Sequence, residues 1–387
     1  MAYAALPRAA NRGPDVELDR DEAAVGEVRA ALAAWYDCGH RPLPWREGRD
    51  PYRVLVSEVM LVQTTVAAVA PYYARFLALF PTAEALAAAD EVDVLRAWEG
   101  LGYYRRARQL HAAARQIVER HGGAIPADPA LIRALPGVGR YIAGAVASFA
   151  FDLPEPILEA NTQRALARLL AWDRDVSAPA SQRRLWEAAA RLVPLDQPGR
   201  FNQALTELGA TVCTPRDPTC LICPVARLCG ARLQGRENLL PVKTIKPKTL
   251  EVVEACAVVQ DPDGRRLMVR RGPGRLWEGF WEFPTVHLGG ADPAGRSSVG
   301  EDVGLAEGVR RLADVDAEIG PAGHILRFGV TRHRVTLSAH RGRADGCVPR
   351  PGPGLVEARW VDESEASTLP RGAATRRVAA WASGPGR

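Results

Sequence analysis

Four cysteines, Cys213, Cys220, Cys223 and Cys229, fall close together in the pattern C-x6-C-x2-C-x5-C, while Cys38, Cys256 and Cys347 are scattered singly. Whatever this chain folds into must wrap one short segment so that four sulfurs meet a common object. So dense a cluster, in a long chain with no secretion signal, reads as a metal or cluster site and not as a disulfide framework. Zinc sites usually come as two close pairs separated by a longer loop. Here one close pair is flanked by single cysteines at unequal distances, an arrangement that suits a cubane 4Fe–4S cluster held by four thiolates. Arg216, Arg227 and Arg232 surround the motif and offset the thiolate charge. A structural zinc knot is the alternative on spacing alone.

With 387 residues the chain is long for a single core, so two domains are expected. Apolar stretches are broken by charge or glycine, and none is long enough to span a membrane. Met1–Glu27 is charged and lacks the apolar core of a signal peptide, so the expected compartment is the cytoplasm, with nucleoid association during action. The net charge of +5 is modest, but residues 101–150 carry seven Arg against only Glu119 and Asp128. Such a local patch suits phosphates, although a solvated helix face has the same composition. Of the fifty Lys and Arg, only Lys243, Lys246 and Lys248 are lysine. Residues 1–242 therefore hold no side-chain amine able to form a Schiff base.

The pattern predicts an α+β multidomain protein. Residues 1–24 read as a disordered tail, 25–239 as an all-α domain, 240–250 as a basic linker and 251–387 as an α/β domain. In the first domain Val25, Val28, Leu32 and Trp35 recur at helical spacing, as do Leu86, Val94, Leu95 and Trp98. In the second, Glu251–Gln260 and Arg266–Arg270 read as strands around an Asp261–Gly264 turn. Further strands are expected near Arg327–Val330 and Val335–Ala339, and a helix near Gly300–Ala313. Trp277–Pro284 reads as a core and turn element.

Three motifs carry chemistry. Leu135-Pro136-Gly137-Val138-Gly139-Arg140 sits between two helical runs, and its glycines permit a hairpin whose amides cradle a phosphate. A plain helix–helix turn is the alternative. Glu58 lies in the apolar run Val54–Leu61, where a carboxyl tends toward a raised pKa and can act as an acid near neutrality. The plainer alternative is an ordinary surface ion pair. Gln63 and Thr64 follow, with side chains able to reach base edges. Glu159 stands just ahead of a helical run, where the dipole favours an ionised carboxylate, with Asn161 the expected N-cap. Two carboxylates pushed to opposite protonation states suit glycosidic-bond cleavage.

From about residue 28 onward the chain resembles the helix-hairpin-helix DNA glycosylases, and among them the MutY-type adenine glycosylases. The resemblance rests on Leu43-Pro44-Trp45, Ser57–Leu61, Gly100–Tyr104, Leu135–Arg140, Phe201–Ala204 with Leu208–Ala210, and the four cysteines. It implies an iron–sulfur glycosylase domain followed by a Nudix-like reader. The partner would be duplex DNA carrying A:8-oxoguanine or A:G mispairs, bound by a monomer, with no membrane involved. The flipped adenine would be cut from its sugar. By resemblance Glu58 protonates the adenine ring, Glu159 stabilises the sugar cation, and Tyr141 and Asn161 support the two carboxylates. Gln63 and Tyr103 wedge into the base stack.

Two departures stand out. The family usually has Asp-Gly-Asn where this chain has Glu159-Ala160-Asn161, and Phe-Ser-His where it has Thr331-Arg332-His333. In the second, His333 survives and Arg332 replaces the serine as a contact to the oxidised base or a phosphate; a simple strand-end Arg is the alternative. The family's strand-cleaving members need a lysine where this chain has Tyr141, which implies base release alone. The rival readings are an endonuclease III-like glycosylase/lyase, a lesion binder without activity, and a redox-sensing DNA binder. The reader lacks a Glu-rich Nudix helix, so magnesium-dependent pyrophosphate cleavage is not expected.

Overall fold

The computed structural model describes residues 21–243, 249–274, 277–290, 304–330 and 332–384. The chain divides into two compact units, one of residues 1–87 with 112–245, the other of 88–111 with 246–387. The segment 88–111, drawn from the middle of the helical run, thus belongs with the C-terminal unit.

The helices of that run, in chain order, are α1 (Glu22–Cys38), α2 (Pro51–Leu61), α3 (Val66–Leu79), α4 (Ala83–Ala88), α5 (Glu91–Ala97), α6 (Arg105–His121), α7 (Pro129–Arg133) and α8 (Arg140–Phe151). They continue as α9 (Ala160–Leu169), α10 (Pro179–Leu192), α11 (Pro198–Thr211) and α12 (Gly230–Leu233). Helix α1 begins inside the expected tail, because Asp21 caps it by accepting from the Ala23 amide at 2.9 Å. The rest of that tail, residues 1–20, lies outside the described residues. Val25, Val28, Leu32 and Tyr36 form the buried stripe of α1, packed with Leu166 and Leu169 of α9, Leu185 of α10 and Leu205 and Leu208 of α11. Trp35, expected in that stripe, is only partly buried at its edge.

Helices α8, α9 and α11 approach closely at small residues. A Cβ on Gly209 of α11 would lie 2.7 Å from the Asn161 Cβ and 2.8 Å from its carbonyl oxygen. Those are contacts that only a missing side chain permits. The close approach brings Asn161, at the start of α9, against the floor formed by α11.

The C-terminal unit is built on a seven-stranded sheet in the order β3-β2-β1-β6-β5, with β4 also paired to β1 and β7 to β2. The strands are β1 (Leu250–Gln260), β2 (Arg266–Arg271), β3 (Trp281–Glu282), β4 (Thr285–Gly290), β5 (Glu318–Val330), β6 (His333–Arg343) and β7 (Leu355–Val361). All pairings are antiparallel except β1 with β6, which runs parallel from Leu250 opposite His333 to Gln260 opposite Arg343. On one face Val252, Cys256, Val258, Met268 and Trp281 pack beneath α14 (Glu363–Thr368) and α15 (Ala373–Ser383). On the other, Ala257, Val259, Leu267 and Val269 pack against Val309 and Ala313 of α13 (Leu305–Ala313). The alternation along β1 is the period-2 pattern of a strand covered on both sides. The expected helix start at 300–303 lies outside the described residues, as do Lys246 and Lys248.

Gly209→Ala is expected to lower unfolding stability by about 1–3 kcal/mol, the usual penalty for overpacking a close helix contact. Urea denaturation with an unchanged m-value is the check.

Candidate active site

Helix α2 starts cleanly, with Pro51 in its first turn and the Asp50 carboxylate accepting from the Arg53 amide at 3.0 Å. Its apolar run buries Val54, Leu55, Val56, Val59 and Met60, and carries Glu58 inside with them at 4% exposure. Across from it, α8 places Tyr141 in its first turn, and the Tyr141 hydroxyl donates to Glu58 Oε2 at 2.5 Å. Burial raises the Glu58 pKa, the Tyr141 hydrogen bond opposes this, the Glu159 charge adds to it and Arg46 opposes it, leaving it at about 7. The Tyr141 hydroxyl is pushed well above its ordinary value, by burial first and then by the charges of Glu58 and Glu159. It is a standing donor.

Glu159, not Asn161, is the N-cap of α9. Its two carboxylate oxygens accept from the Asn161 and Thr162 amides, each at 2.8 Å, and the Thr162 hydroxyl accepts from the Glu159 amide in return. Asn161 therefore falls inside the first turn. The helix terminus, expected to favour an ionised carboxylate, is one influence among several. Burial acts more strongly and raises the Glu159 pKa, while the two amide bonds, Arg164 and Asn161 hold it down.

Asn161 is itself anchored, its Oδ1 accepting from Arg164 Nη2 at 2.9 Å. The same guanidinium donates to the Gly209 carbonyl and to the Cys213 carbonyl, both at 2.7 Å. One turn along α9, Arg168 is buried and donates to the Cys213 sulfur at 3.2 Å and to the Thr214 carbonyl at 2.7 Å. Helix α9 therefore carries the carboxylate at its start and grips the cysteine segment with its next two turns. Cys213, Cys220, Cys223 and Cys229 line one cavity together. All four are free thiols.

Glu58, Tyr141, Glu159, Asn161, Gln63 and Thr64 line one cleft, together with Arg41, Trp45, Arg46 and Gln203. Gln63 stands exposed at the cleft edge with φ at +58°, just beyond the end of α2. A further buried carboxylate carries no motif of its own. Glu207 on α11 accepts from Arg41 at 2.7 and 2.8 Å and from Arg46 at 2.8 Å. Burial works to raise its pKa, but the two arginine hydrogen bonds win and hold it at about 2. Arg46 also lies over the Tyr36 ring, whose hydroxyl donates to Gln203 at 2.8 Å. Arg46 directly follows the Leu43-Pro44-Trp45 motif, and Glu207 lies inside the run from Phe201 to Ala210. The nearest sequence signal is therefore one residue away in each case.

The hairpin between α7 and α8 has Gly137 at φ +76°, a conformation that favours glycine. Gly137, Gly139 and Arg140 are exposed, whereas the Leu135 side chain is buried and offers only backbone. Gly139 caps α8, whose first-turn amides have no acceptor within the helix. The Arg140 guanidinium stacks 3.8 Å from the centre of the Trp186 ring.

In the C-terminal unit Tyr103 is 44% exposed with φ at +51°. Arg332 is exposed in the β5–β6 hairpin, its carbonyl accepting from the Leu250 amide at 2.9 Å, and His333 opens β6. Thr331 lies outside the described residues.

With this geometry in place, comparison with known proteins places the chain. Residues 56–191 match the family described as HhH-GPD superfamily base excision DNA repair protein, and residues 255–381 match the NUDIX domain. The helical part is similar in fold to a thermostable thymine-DNA glycosylase, with a TM-score of 0.50 and 29% identity over 54% of this chain and 97% of that one. The class is thus a base-excision DNA repair protein carrying a C-terminal Nudix-like domain. The adenine DNA glycosylase of Homo sapiens is 34% identical over 93% of this chain and 75% of its own length. That of Rattus norvegicus is 38% identical over 71% of this chain, a match spanning 63% of the relative's length. The chain belongs to the adenine DNA glycosylase family. Among the described residues no helix is long and apolar enough to cross a membrane.

Glu58 predicts a pH signature in folding. Its pKa rises from an ordinary 4.5 to about 7 on folding, so its contribution is fully present below 4.5 and is lost as pH climbs through 7. The thermal midpoint of wild type relative to Glu58→Gln is expected to fall between those values and to level off above them. Paired melts across pH 4.5–8 read this directly.

Proposed function

We propose that the protein hydrolyses the N-glycosidic bond of adenine mispaired with 8-oxoguanine or guanine in duplex DNA. The observation that carries this is the convergence of Glu58, held by Tyr141, and the doubly capped Glu159 in one cleft. Glu58, with a pKa of about 7, is half protonated at neutral pH and can give its proton to a ring nitrogen of the leaving adenine. Glu159, fixed by two amides, presents its charge to the sugar as positive charge develops there. No lysine precedes Lys243, so the residues of the catalytic part offer no side-chain amine for strand cleavage.

Functionally the catalytic domain spans 25–239 and the reader 251–387. Gly137, Gly139, Arg140 and the first-turn amides of α8 hold a DNA phosphate. Gln63, Thr64 and Tyr103 act on the stack around the target base. Arg332, His333 and Thr331 meet the oxidised guanine.

Cys213, Cys220, Cys223 and Cys229 are the residues that would hold a 4Fe–4S cluster. In support of this, all four thiols line the same cavity, and Arg168 donates to the Cys213 sulfur. Bound there, the cluster would tie together a segment whose Cys213, Cys223, Val225 and Cys229 also pack on the helical core. Anaerobically purified protein is expected to contain iron and acid-labile sulfide in equal amounts. One zinc per chain without sulfide would reject the assignment.

Single-turnover adenine release from A:8-oxoguanine duplex tests the reaction itself. Glu58→Gln and Glu159→Gln are each expected to slow release by about a hundredfold or more, with DNA binding nearly kept. Glu159→Asp keeps charge and cap but draws the carboxylate back, and is also expected to lose activity. Wild type that binds the duplex and releases no adenine would establish a lesion binder instead.

A further inference from the structure

The segment that carries Tyr103 is mounted on the C-terminal unit. Residues 88–111 cluster with 246–387, and specific contacts fasten them there on both sides of Tyr103. On the near side Glu99 pairs with Arg376 of α15, and Arg96 donates to the Thr368 carbonyl at the end of α14. On the far side the buried Tyr104 ring packs on the buried Phe280 ring, with centroids 4.1 Å apart at 44°. Arg108 donates to the Glu278 carbonyl in the same turn and to Glu91 at 2.8 Å. This explains the run Trp277–Pro284, which the active site leaves unused. Its turn is the seat of the Tyr103 loop.

The loop is stiff as well as anchored. Trp98 Nε1 donates to the Gly102 carbonyl at 3.1 Å. The Arg106 guanidinium lies 5.0 Å from the Tyr103 ring centre and 5.7 Å from that of Trp98. Tyr103 itself remains exposed between anchored neighbours, Glu99 and Tyr104. Such an arrangement presents one aromatic ring on a rigid base, at a position whose backbone angle would otherwise be disfavoured.

We propose that Arg376 and Phe280 are positioning residues for Tyr103, so that the domain reading the oxidised guanine also sets the ring that opens the base stack. Gln63 belongs to the other unit, so the two stack-opening side chains are carried by separate bodies. Recognition of the lesion by the reader then feeds directly into base flipping. This rests on the proposed role of Tyr103 as a stack wedge.

The test uses the full chain with Glu58→Gln to block base release. The probe is A:8-oxoguanine duplex with 2-aminopurine beside the target adenine, whose fluorescence rises as the stack opens. Tyr103→Ala is expected to cut the rise by about tenfold, and Arg376→Gln and Glu99→Gln by about threefold each, with unchanged melts. Tyr103→Ala with Arg376→Gln should be no worse than Tyr103→Ala alone, because both act through one ring. Glu99→Arg with Arg376→Glu should recover most of the loss. A normal rise with Tyr103→Ala sinks the wedge reading itself. An impaired Tyr103→Ala with normal Arg376→Gln and Glu99→Gln overturns the mount, as do additive losses in the double variant. Phe280→Leu, checked first for an unchanged melt, supplies a second contact by the same criteria.

Discussion

Taking the Glu58 carboxyl out of water is the constraint from which the cleft follows. A carboxylate buried in an apolar helix must find a donor or carry a proton, since an isolated buried charge is too costly to keep. Here it has both options, with Tyr141 at 2.5 Å and a pKa of about 7. The donor has to come from a second helix at fixed distance, which ties α8 to α2. The first turn of α8 is also the end of the glycine hairpin, so the segment suited to a phosphate and the residue that steadies the acid share one rigid helix end.

Much of this is legible in the residue order alone. The single Glu in an apolar run, the glycine hairpin and the spaced cysteines each carry local chemical meaning, and the strands of the C-terminal unit follow their alternation. What stays hidden depends on three-dimensional neighbours. Glu207 is an ordinary acid on an amphipathic helix until Arg41 and Arg46 arrive from well over a hundred residues away. The sequence pattern puts Glu159 at a helix start, but only packing shows that burial raises its pKa against its hydrogen bonds. The membership of 88–111 in the C-terminal unit leaves no trace in periodicity, because a helix reads alike whichever body it packs on.

Helix α9 couples two regions that the sequence separates by about fifty residues. Its first turn fixes Glu159 and Asn161, and its next two turns place Arg164 and Arg168 on the Cys213 backbone and sulfur. One guanidinium therefore links the cysteine segment to the Asn161 side chain. The close approach at Gly209 makes the connection stiff, since α11 cannot yield without meeting the Asn161 backbone.

The near absence of lysine gives this architecture a physical logic. Arg41, Arg46, Arg164 and Arg168 each serve two or more acceptor atoms at once, with five donors in a fixed planar fork where an ammonium has three on one nitrogen. Burial works against a cation in such a frame. It lowers the Arg164 pKa, yet an arginine begins so high that it stays charged. A lysine buried as deeply as Arg168 would fall toward a pKa of about 5–6 and surrender its proton near neutrality. The Cys213 sulfur and the Thr214 carbonyl would then lose a charged donor. The same preference that keeps the buried frame charged at working pH also leaves the catalytic residues without an amine nucleophile, so structural and chemical selectivity follow from one choice of cation.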